Sequence, residues 1–201
     1  MSDERSCQVL VIGSGAGGAT TAFTLASQGF DVLVVEEGGS HDLAEYGAGA
    51  PEAMELLYRQ RGMTPIMGSV PIGYVEGCCV GGSTEINSGF WHRTPPEILM
   101  RWLGRFGLED AQSEDLDPHF DWVEQQLGVG TSTLPWPKST QVMAKGAEAM
   151  EWSHLEVPRA APNCQHTNAC ASGCPTGAKQ GMSRSLIPRA VDTGARVLSR
   201  C

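Results

Sequence analysis

A glycine-rich turn near the amino terminus holds the residues with the clearest chemistry. The apolar run Val9–Ile12 leads into a turn at 13–18, a helix of small residues follows at 19–28, and a second apolar run, Val32–Val35, ends on Glu36. Strand, G-x-G-x-x-G turn, helix, strand and acid stand in the order and spacing of a dinucleotide-binding unit. The pattern therefore predicts that this part of the chain binds a dinucleotide.

Each part of this unit has a predicted task. Gly13 permits the tight turn, Gly15 lets the main chain approach a pyrophosphate, and Gly18 lets the helix pack close to the strand. The first N–H groups of the helix face the phosphates. Glu36 accepts hydrogen bonds from a ribose 2′-hydroxyl, which disfavours NADP but does not separate FAD from NAD. The predicted cofactor-binding residues here are Gly13, Ser14, Gly15, Ala16, Gly17, Gly18 and Glu36.

Composition and charge narrow the class of protein. The 201 residues carry a formal net charge of −9, which leaves no basic patch for nucleic acid. The charged amino terminus is not followed by the apolar region of a signal peptide, and no apolar run reaches the ~18 residues of a membrane span. Seven cysteines, an odd number, argue against a disulfide framework. We therefore expect a cytoplasmic enzyme with no nucleic-acid partner and no membrane span.

A second glycine-rich segment spans residues 77–91. Its glycines, with an intervening Ser-Thr pair and an asparagine, suit a main chain pressed against a flat ligand, although a ligand-free loop before a helix is the simpler alternative. Cys78 and Cys79 in this segment are expected to pack rather than to bind a metal. The predicted ligand contacts are Gly81, Gly82, Ser83 and Asn87.

Together the two glycine-rich segments resemble the glucose–methanol–choline (GMC) flavin oxidoreductases. That family carries a G-x-x-V-G-G-S-S-x-I-N-type segment against the flavin isoalloxazine, and residues 77–91 match it almost continuously. Val35–Gly39 is similar to the family's V-L-E-A-G-G strand end, and residues 116–124 are similar to its L-x-P-Y-F-x-x-V-E helix. The resemblance covers most of residues 8–130 and implies FAD rather than NAD.

The resemblance also implies a fold and an activity. The fold class is α/β, an incomplete Rossmann-like FAD-binding domain of GMC type with part of a substrate-side region. The activity is oxidation of an alcohol CH–OH group to a carbonyl by hydride transfer to the flavin, as a dehydrogenase or an oxidase. A small-molecule alcohol is the substrate, and an external electron acceptor is a possible second partner. The alternatives are an NAD-linked Rossmann oxidoreductase and a truncated FAD-binding module without turnover.

Two departures from the family pattern concern the reaction itself. Ile86 stands where some members attach FAD through a histidine, so the flavin is expected to be non-covalent. The family's catalytic histidine lies near the carboxyl terminus of a longer chain, so no catalytic residue is assigned and this amino-terminal fragment is expected to be inactive alone. The five histidines match no catalytic motif and are assigned surface or packing roles: His41, His92, His119, His154 and His166.

Three regions are expected along the chain. Residues 1–90 form the FAD-binding portion with an irregular excursion at 40–76 that includes a short helical piece around 54–58. Residues 91–160 form a partial helical, substrate-side region, and residues 161–201 return to the FAD-binding domain, whose carboxyl-terminal remainder is absent. A capping box at Thr94–Glu97 predicts a helix. Asp117-Pro118 predicts the start of another. A short helix at 186–191, ended by Gly194, and a strand at 195–198 are expected near the end.

A cysteine-rich loop forms the third motif. Cys164, Cys170 and Cys174 follow a C-x5-C-x3-C-P pattern whose thiolates suit zinc or an iron–sulfur cluster. The loop is similar to the cluster-binding loop of bacterial FAD glucose dehydrogenases, with one extra residue in the first gap, and to a G-C-x-x-G-x-K-Q stretch of long-chain alcohol oxidases. Three interpretations stay open: an iron–sulfur cluster, a metal-free packing loop, and a zinc site completed by His166.

Overall fold

The computed structural model describes residues 6–47, 49–108 and 113–201. The chain divides into two compact units, one formed by the residues up to Gly89 together with Gln165–Cys201, and the other by Phe90–Cys164. In chain order the elements are β1 (Val9–Ile12), α1 (Ala16–Ser27), β2 (Val32–Glu36), α2 (Ala50–Leu57), β3 (Thr64–Ile66), β4 (Ile72–Tyr74), α3 (Pro96–Phe106), α4 (Ser113–Leu127), α5 (Lys138–Ala149), α6 (Leu186–Asp192) and β5 (Arg196–Ser199).

The first unit is built on a parallel three-stranded sheet in the order β1-β2-β5. Val9 pairs with Val32 at one end of the β1–β2 ladder, and Glu36 pairs with Ser199 where β2 meets β5. Because the strands are parallel, the glycine-rich turn and Glu36 leave the sheet at the same edge. The predicted strands and the short helix before β5 are present, with bounds shifted by about one residue.

Small side chains let α1 and α6 pack closely on this sheet. Ala19, Ala22 and Ala26 on α1 are buried. β-branched residues of the strands fill the other side of the same core, as parallel strands covered by helices require. The core cluster is Val11, Ala22, Ala26, Val32, Val34, Ala190 and Ala195. The structure thus shows the predicted α/β fold.

Residues 40–76 contain the predicted short helix, α2, and one element that the sequence does not predict. That element is an antiparallel hairpin in which Thr64 pairs with Tyr74 and Ile66 pairs with Ile72. Each strand of the hairpin has three residues, and Ile66, Ile72 and Tyr74 are all exposed. Strands this short, without one buried face, show no alternation of apolar and polar residues, so the sequence does not predict them.

In the second unit the helices begin elsewhere than predicted. The N-cap of α3 is Pro95, with no side-chain hydrogen bond to the helix, so the predicted capping box at Thr94–Glu97 is wrong. Pro96 keeps the residue before it out of helical geometry, which moves the start of the helix onto Pro96 itself. α4 begins at Ser113 rather than at the Asp-Pro pair and runs through Pro118. Acidic residues in its first turn favour this earlier start.

One arginine ties the start of the second unit to α4. The Arg93 guanidinium donates hydrogen bonds to Asp121 at 2.5 Å and to both carboxylate oxygens of Glu124 at 2.6 and 2.7 Å. The Trp91 indole N–H donates to the same Glu124 carboxylate at 2.7 Å.

Among the described residues, no helix combines the length and apolar character that crossing a membrane requires.

Candidate dinucleotide site

The turn after β1 requires glycine at two positions. Gly13 has a φ of +89°, and its N–H donates to the Val35 carbonyl at 2.8 Å. A Cβ on Gly18 would lie 1.9 Å from the Gly13 carbonyl oxygen. Main-chain atoms cannot move aside as a flexible side chain can, so the close approach of α1 to β1 depends on glycine at 18.

The first turn of α1 is open on its outer side. Ala16 and Gly17 are exposed, and a Cβ added to Gly15 or Gly17 would meet no atom within 4 Å. No side chain caps the amino end of α1, and its first turn carries no acidic residue. Main-chain N–H groups at this end therefore stand at an uncrowded, electropositive helix terminus.

Glu36 is the charged centre of the site. It is 8% exposed, and its Oε2 accepts hydrogen bonds from the Ser14 N–H at 2.9 Å and the Ser14 hydroxyl at 2.6 Å. Its Oε1 accepts the Gly38 N–H at 2.9 Å. A carboxylate offers roughly four acceptor positions, so Oε1 keeps capacity for another donor.

Ser14 joins the two glycine-rich segments. Its hydroxyl donates to Glu36 and accepts the Gly81 N–H at 2.9 Å. Gly82 lies close to the first turn as well, since a Cβ built on it would be 3.3 Å from the Gly15 Cα. The structure thus brings the turn, the acid and the second segment together at the carboxyl ends of β1 and β2.

Two other predicted contacts point toward their own segment. The Ser83 hydroxyl accepts the Gly77 N–H at 3.0 Å, and the Asn87 Oδ1 accepts the Gly89 N–H at 3.0 Å. Both Ser83 and Asn87 are exposed. Their contact with a cofactor stays a prediction.

Sequence reasoning missed two buried charged residues, Glu85 within the second glycine-rich segment and Lys179, which donates to it. Glu85 is 1% exposed and accepts hydrogen bonds from the Tyr46 hydroxyl and the Ser183 N–H, each at 3.0 Å. Lys179 is 4% exposed and donates from Nζ to main-chain carbonyls. Burial lowers the pKa of Lys179, while burial and the neighbouring Glu85 charge raise the pKa of Tyr46. The sequence signal that could have indicated both residues is a single charge directly after a run of small residues, 81–84 before Glu85 and 176–178 before Lys179.

A cavity of about 450 Å³ opens next to the acid at the end of β2. Gly38 and Gly39 form one wall, and Tyr58, Arg59 and Cys78 contribute others. Its size lies in the range of small-molecule and cofactor sites, about 300–1,000 Å³.

The cysteine loop shows no metal geometry. Within the described residues, no three His, Cys, Asp or Glu side chains converge where they could hold a metal ion. Cys164 ends the second unit, whereas Cys170 and Cys174 belong to the first. The Cys174 sulfur accepts the Lys179 N–H at 3.4 Å and lies 3.3 Å from the Thr176 hydroxyl oxygen. The prediction of an iron–sulfur or zinc site at Cys164, Cys170 and Cys174 gains no support from the described residues, and the metal-free packing loop stays the simpler interpretation.

Cys174 and Cys79 differ in their ionisation. Burial raises the pKa of Cys174, but hydrogen bonds from Thr176 and from the Lys179 main chain outweigh it, so the net shift is downward. Burial, followed by the Glu85 charge, raises the pKa of Cys79 to about 12. Cys79 is fully buried against Tyr46 and Leu57, as its predicted packing role requires.

We therefore expect Cys79 to resist alkylation in the folded protein. Only the thiolate reacts, and at mildly alkaline pH a thiol with this pKa is almost entirely protonated. Iodoacetamide labelling followed by mass spectrometry should modify exposed Cys201 readily and Cys79 only after denaturation. Equal labelling of Cys79 and Cys201 in the native protein would show that Cys79 is accessible.

The parallel sheet, the G-x-G-x-x-G turn and the acid after β2 define the chain as a Rossmann-type dinucleotide-binding protein. A family model for the GMC oxidoreductases matches residues 8–201. The chain belongs to the GMC oxidoreductase family.

Relatives of known sequence agree with this assignment. A GMC-type oxidoreductase of Sinorhizobium fredii is 36% identical over 197 residues, which cover 98% of this chain and 39% of the relative. A long-chain-alcohol oxidase of Arabidopsis thaliana is 31% identical over 194 residues, which cover 96% of this chain and 26% of that enzyme. The chain therefore spans about two fifths or less of the length of these relatives.

Solved structures share the fold. Pyridoxine 4-oxidase from Mesorbium loti superposes with a TM-score of 0.70 at 14% identity, covering 97% of this chain and 42% of that one. A formate oxidase superposes with a TM-score of 0.67 at 14% identity, covering all of this chain and 39% of that one. The predicted family and fold class are confirmed.

Proposed function

We propose that the chain forms the FAD-binding portion of an oxidoreductase that converts the CH–OH group of a small-molecule alcohol to a carbonyl. The observation that carries this proposal is the junction of two glycine-rich segments through Ser14 and Glu36, in a chain of the GMC family. This junction lies outside the carboxyl ends of parallel strands, where open α/β sheets bind their ligands.

The residues of the site suit the parts of FAD. The open N–H groups of α1 would hold the pyrophosphate, and the free capacity of Glu36 Oε1 would accept a ribose hydroxyl. The neighbouring cavity would take the adenosine end. Segment 81–87 would line the isoalloxazine. FAD, when bound, supplies the group that accepts the hydride from the alcohol.

The relatives support an alcohol as the substrate class. One is a long-chain-alcohol oxidase of Arabidopsis thaliana, and one structural neighbour is a fungal aryl-alcohol oxidase. Another structural neighbour is the formate oxidase of Aspergillus oryzae, whose FAD is modified.

We propose oxygen or an external acceptor as the electron acceptor and include no iron–sulfur cluster. The cytoplasmic location stays a prediction.

Binding of FAD is expected to be non-covalent. Ile86 occupies the position at which some family members carry the attaching histidine, and it packs against the cluster of Tyr46, Leu57 and Cys79. Acid precipitation of the full-length protein should therefore leave free FAD in the supernatant. Yellow colour remaining with the precipitated chain would contradict non-covalent binding.

The same preparation tests the proposed reaction. Under anaerobic conditions, a substrate alcohol should bleach the visible absorption of the oxidised flavin, and the matching aldehyde or ketone should appear in equal amount. A matched alkane lacking the hydroxyl group is the control and should leave the spectrum unchanged. Flavin that no primary, secondary or aromatic alcohol reduces would overturn the proposed substrate class.

A further inference from the structure

A lysine is buried where three main-chain carbonyls converge. The Lys179 Nζ donates to the carbonyl oxygens of Glu85 at 2.7 Å, Asn87 at 2.8 Å and Cys170 at 2.7 Å. An ammonium has three N–H donors, so this arrangement uses all of them. Lysine is almost never fully buried unless it is paired, and Lys179 is 4% exposed.

We infer that Lys179 is a positioning residue whose ammonium fixes the main chain of segment 81–87 for contact with the flavin. The inference rests on the proposed FAD site and goes beyond it by naming what holds the flavin-facing segment in shape. Lys179 follows Cys174 by five residues, so the cysteine-rich stretch of the chain carries the ammonium that binds the segment.

Several hydrogen bonds hold the segment, yet some of its residues remain exposed. Residues after Lys179 add further bonds to it: the Met182 N–H donates to the Thr84 hydroxyl at 2.9 Å, and the Ser183 N–H donates to the Glu85 carboxylate at 3.0 Å. Ser83 and Asn87 in the same segment are exposed. A main chain that is fixed by hydrogen bonds and still accessible to a ligand suits contact with a flat ring.

The chemistry at this position requires a cation. Three carbonyl oxygens that point at one place repel one another, and an apolar side chain of the same length would remove the donor from all of them, including the buried Glu85 carbonyl. Charge-assisted hydrogen bonds are about twice as strong as neutral ones, so the ammonium also holds the segment more firmly than a neutral donor would.

The variant Lys179→Met in the full-length protein tests this inference, because methionine nearly matches lysine in length but carries no charge. We expect FAD affinity to fall about 10-fold to 100-fold, since three charged hydrogen bonds are lost and the carbonyl oxygens lose that donor. Hydrogen exchange should rise in segments 77–91 and 170–179, while β1 and β2 keep wild-type protection. The absorption spectrum of the remaining bound flavin should shift.

Two controls separate positioning from general loss of stability. Lys145→Met removes an exposed lysine on α5 and should match the wild type in every measurement. Val32→Ala weakens the core at the opposite end of β2 and should lower the melting temperature without shifting the flavin spectrum. A spectral shift of equal size in Val32→Ala would mean that any loss of stability produces it, and the inference would be wrong.

The flavin-free wild-type protein provides a decisive measurement even if Lys179→Met does not fold. The Ile86 N–H donates to the Ser83 carbonyl oxygen at 3.3 Å, and the Gly89 N–H donates to the Asn87 Oδ1 at 3.0 Å. If Lys179 fixes the segment, these amides are already protected from exchange before FAD is added. Free exchange there until FAD binds, or wild-type FAD affinity in a folded Lys179→Met variant, overturns the inference. A wild-type protein that binds no FAD but protects these amides overturns the proposed function instead.

Discussion

Replacing Gly18 with alanine is expected to destabilise the protein by about 3 kcal/mol or more and to abolish FAD binding. The added Cβ would lie 1.9 Å from the carbonyl oxygen of Gly13 and 3.3 Å from the Val11 side chain. Relief requires α1 to move away from β1, which opens the core between them and displaces the helix terminus from the turn. Chemical denaturation followed by circular dichroism measures the stability, and a fluorescence titration measures the FAD affinity.

Gly17→Ala is the matched control for this prediction. Gly17 occupies the same helical turn, yet an added Cβ there meets no atom within 4 Å. Alanine favours the helix over glycine by about 1 kcal/mol, so the unfolding free energy should stay level or rise. If Gly18→Ala proves as stable as Gly17→Ala, then α1 does not lie close enough to the Gly13 carbonyl oxygen to exclude a Cβ at position 18.

The second large effect is expected for Glu36→Gln. Glu36 accepts two hydrogen bonds at Oε2 and one at Oε1. An amide accepts at its oxygen alone, so its NH₂ group must face either the Ser14 donors or the Gly38 N–H. We expect a loss of about 2–3 kcal/mol in unfolding free energy and at least a tenfold loss in FAD affinity, measured in the same two assays.

Glu37→Gln controls for the change of charge. Glu37 is the next residue along the chain, but its side chain is 60% exposed and pairs with Arg59. Arg59 lowers the pKa of Glu37 by hydrogen bonding and charge, although solvent screens such an exposed pair. The unfolding free energy of the Glu37→Gln variant should therefore stay near the wild-type value. Equal losses for Glu36→Gln and Glu37→Gln would mean that net charge, rather than the buried hydrogen bonds, stabilises this part of the sheet.

Local patterns allowed the dinucleotide-binding unit to be predicted. Gly13, Gly18 and Glu36 lie within 24 residues of one another in the sequence, and each answers a requirement of the turn, the helix or the strand end. The strand at 195–198 was predictable for the same reason, since an apolar run follows a helix that ends near a glycine. In these places, propensity and fold agree.

Contacts between distant residues were not predictable from local patterns. The hydrogen bond between Lys179 and Glu85 joins residues 94 positions apart, and no periodicity in either segment indicates it. The cysteine spacing left a metal site and a metal-free packing loop both open, and it gave no sign of the buried Lys179 that follows. At the start of α3, the capping box favoured Thr94 as the N-cap, whereas Pro96 favoured Pro95. The helix begins after Pro95, because proline restricts the backbone of the residue before it.

We expect the junction formed by Ser14 and Glu36 to bind FAD, and calorimetric titration of the flavin-free, full-length protein measures this binding. Titration with FAD should give one site per chain, and titration with NAD should give no measurable heat of binding. The FAD signal should weaken at least tenfold in Glu36→Gln. Binding of NAD without binding of FAD, or FAD affinity indifferent to Glu36, would contradict the assignment of this site.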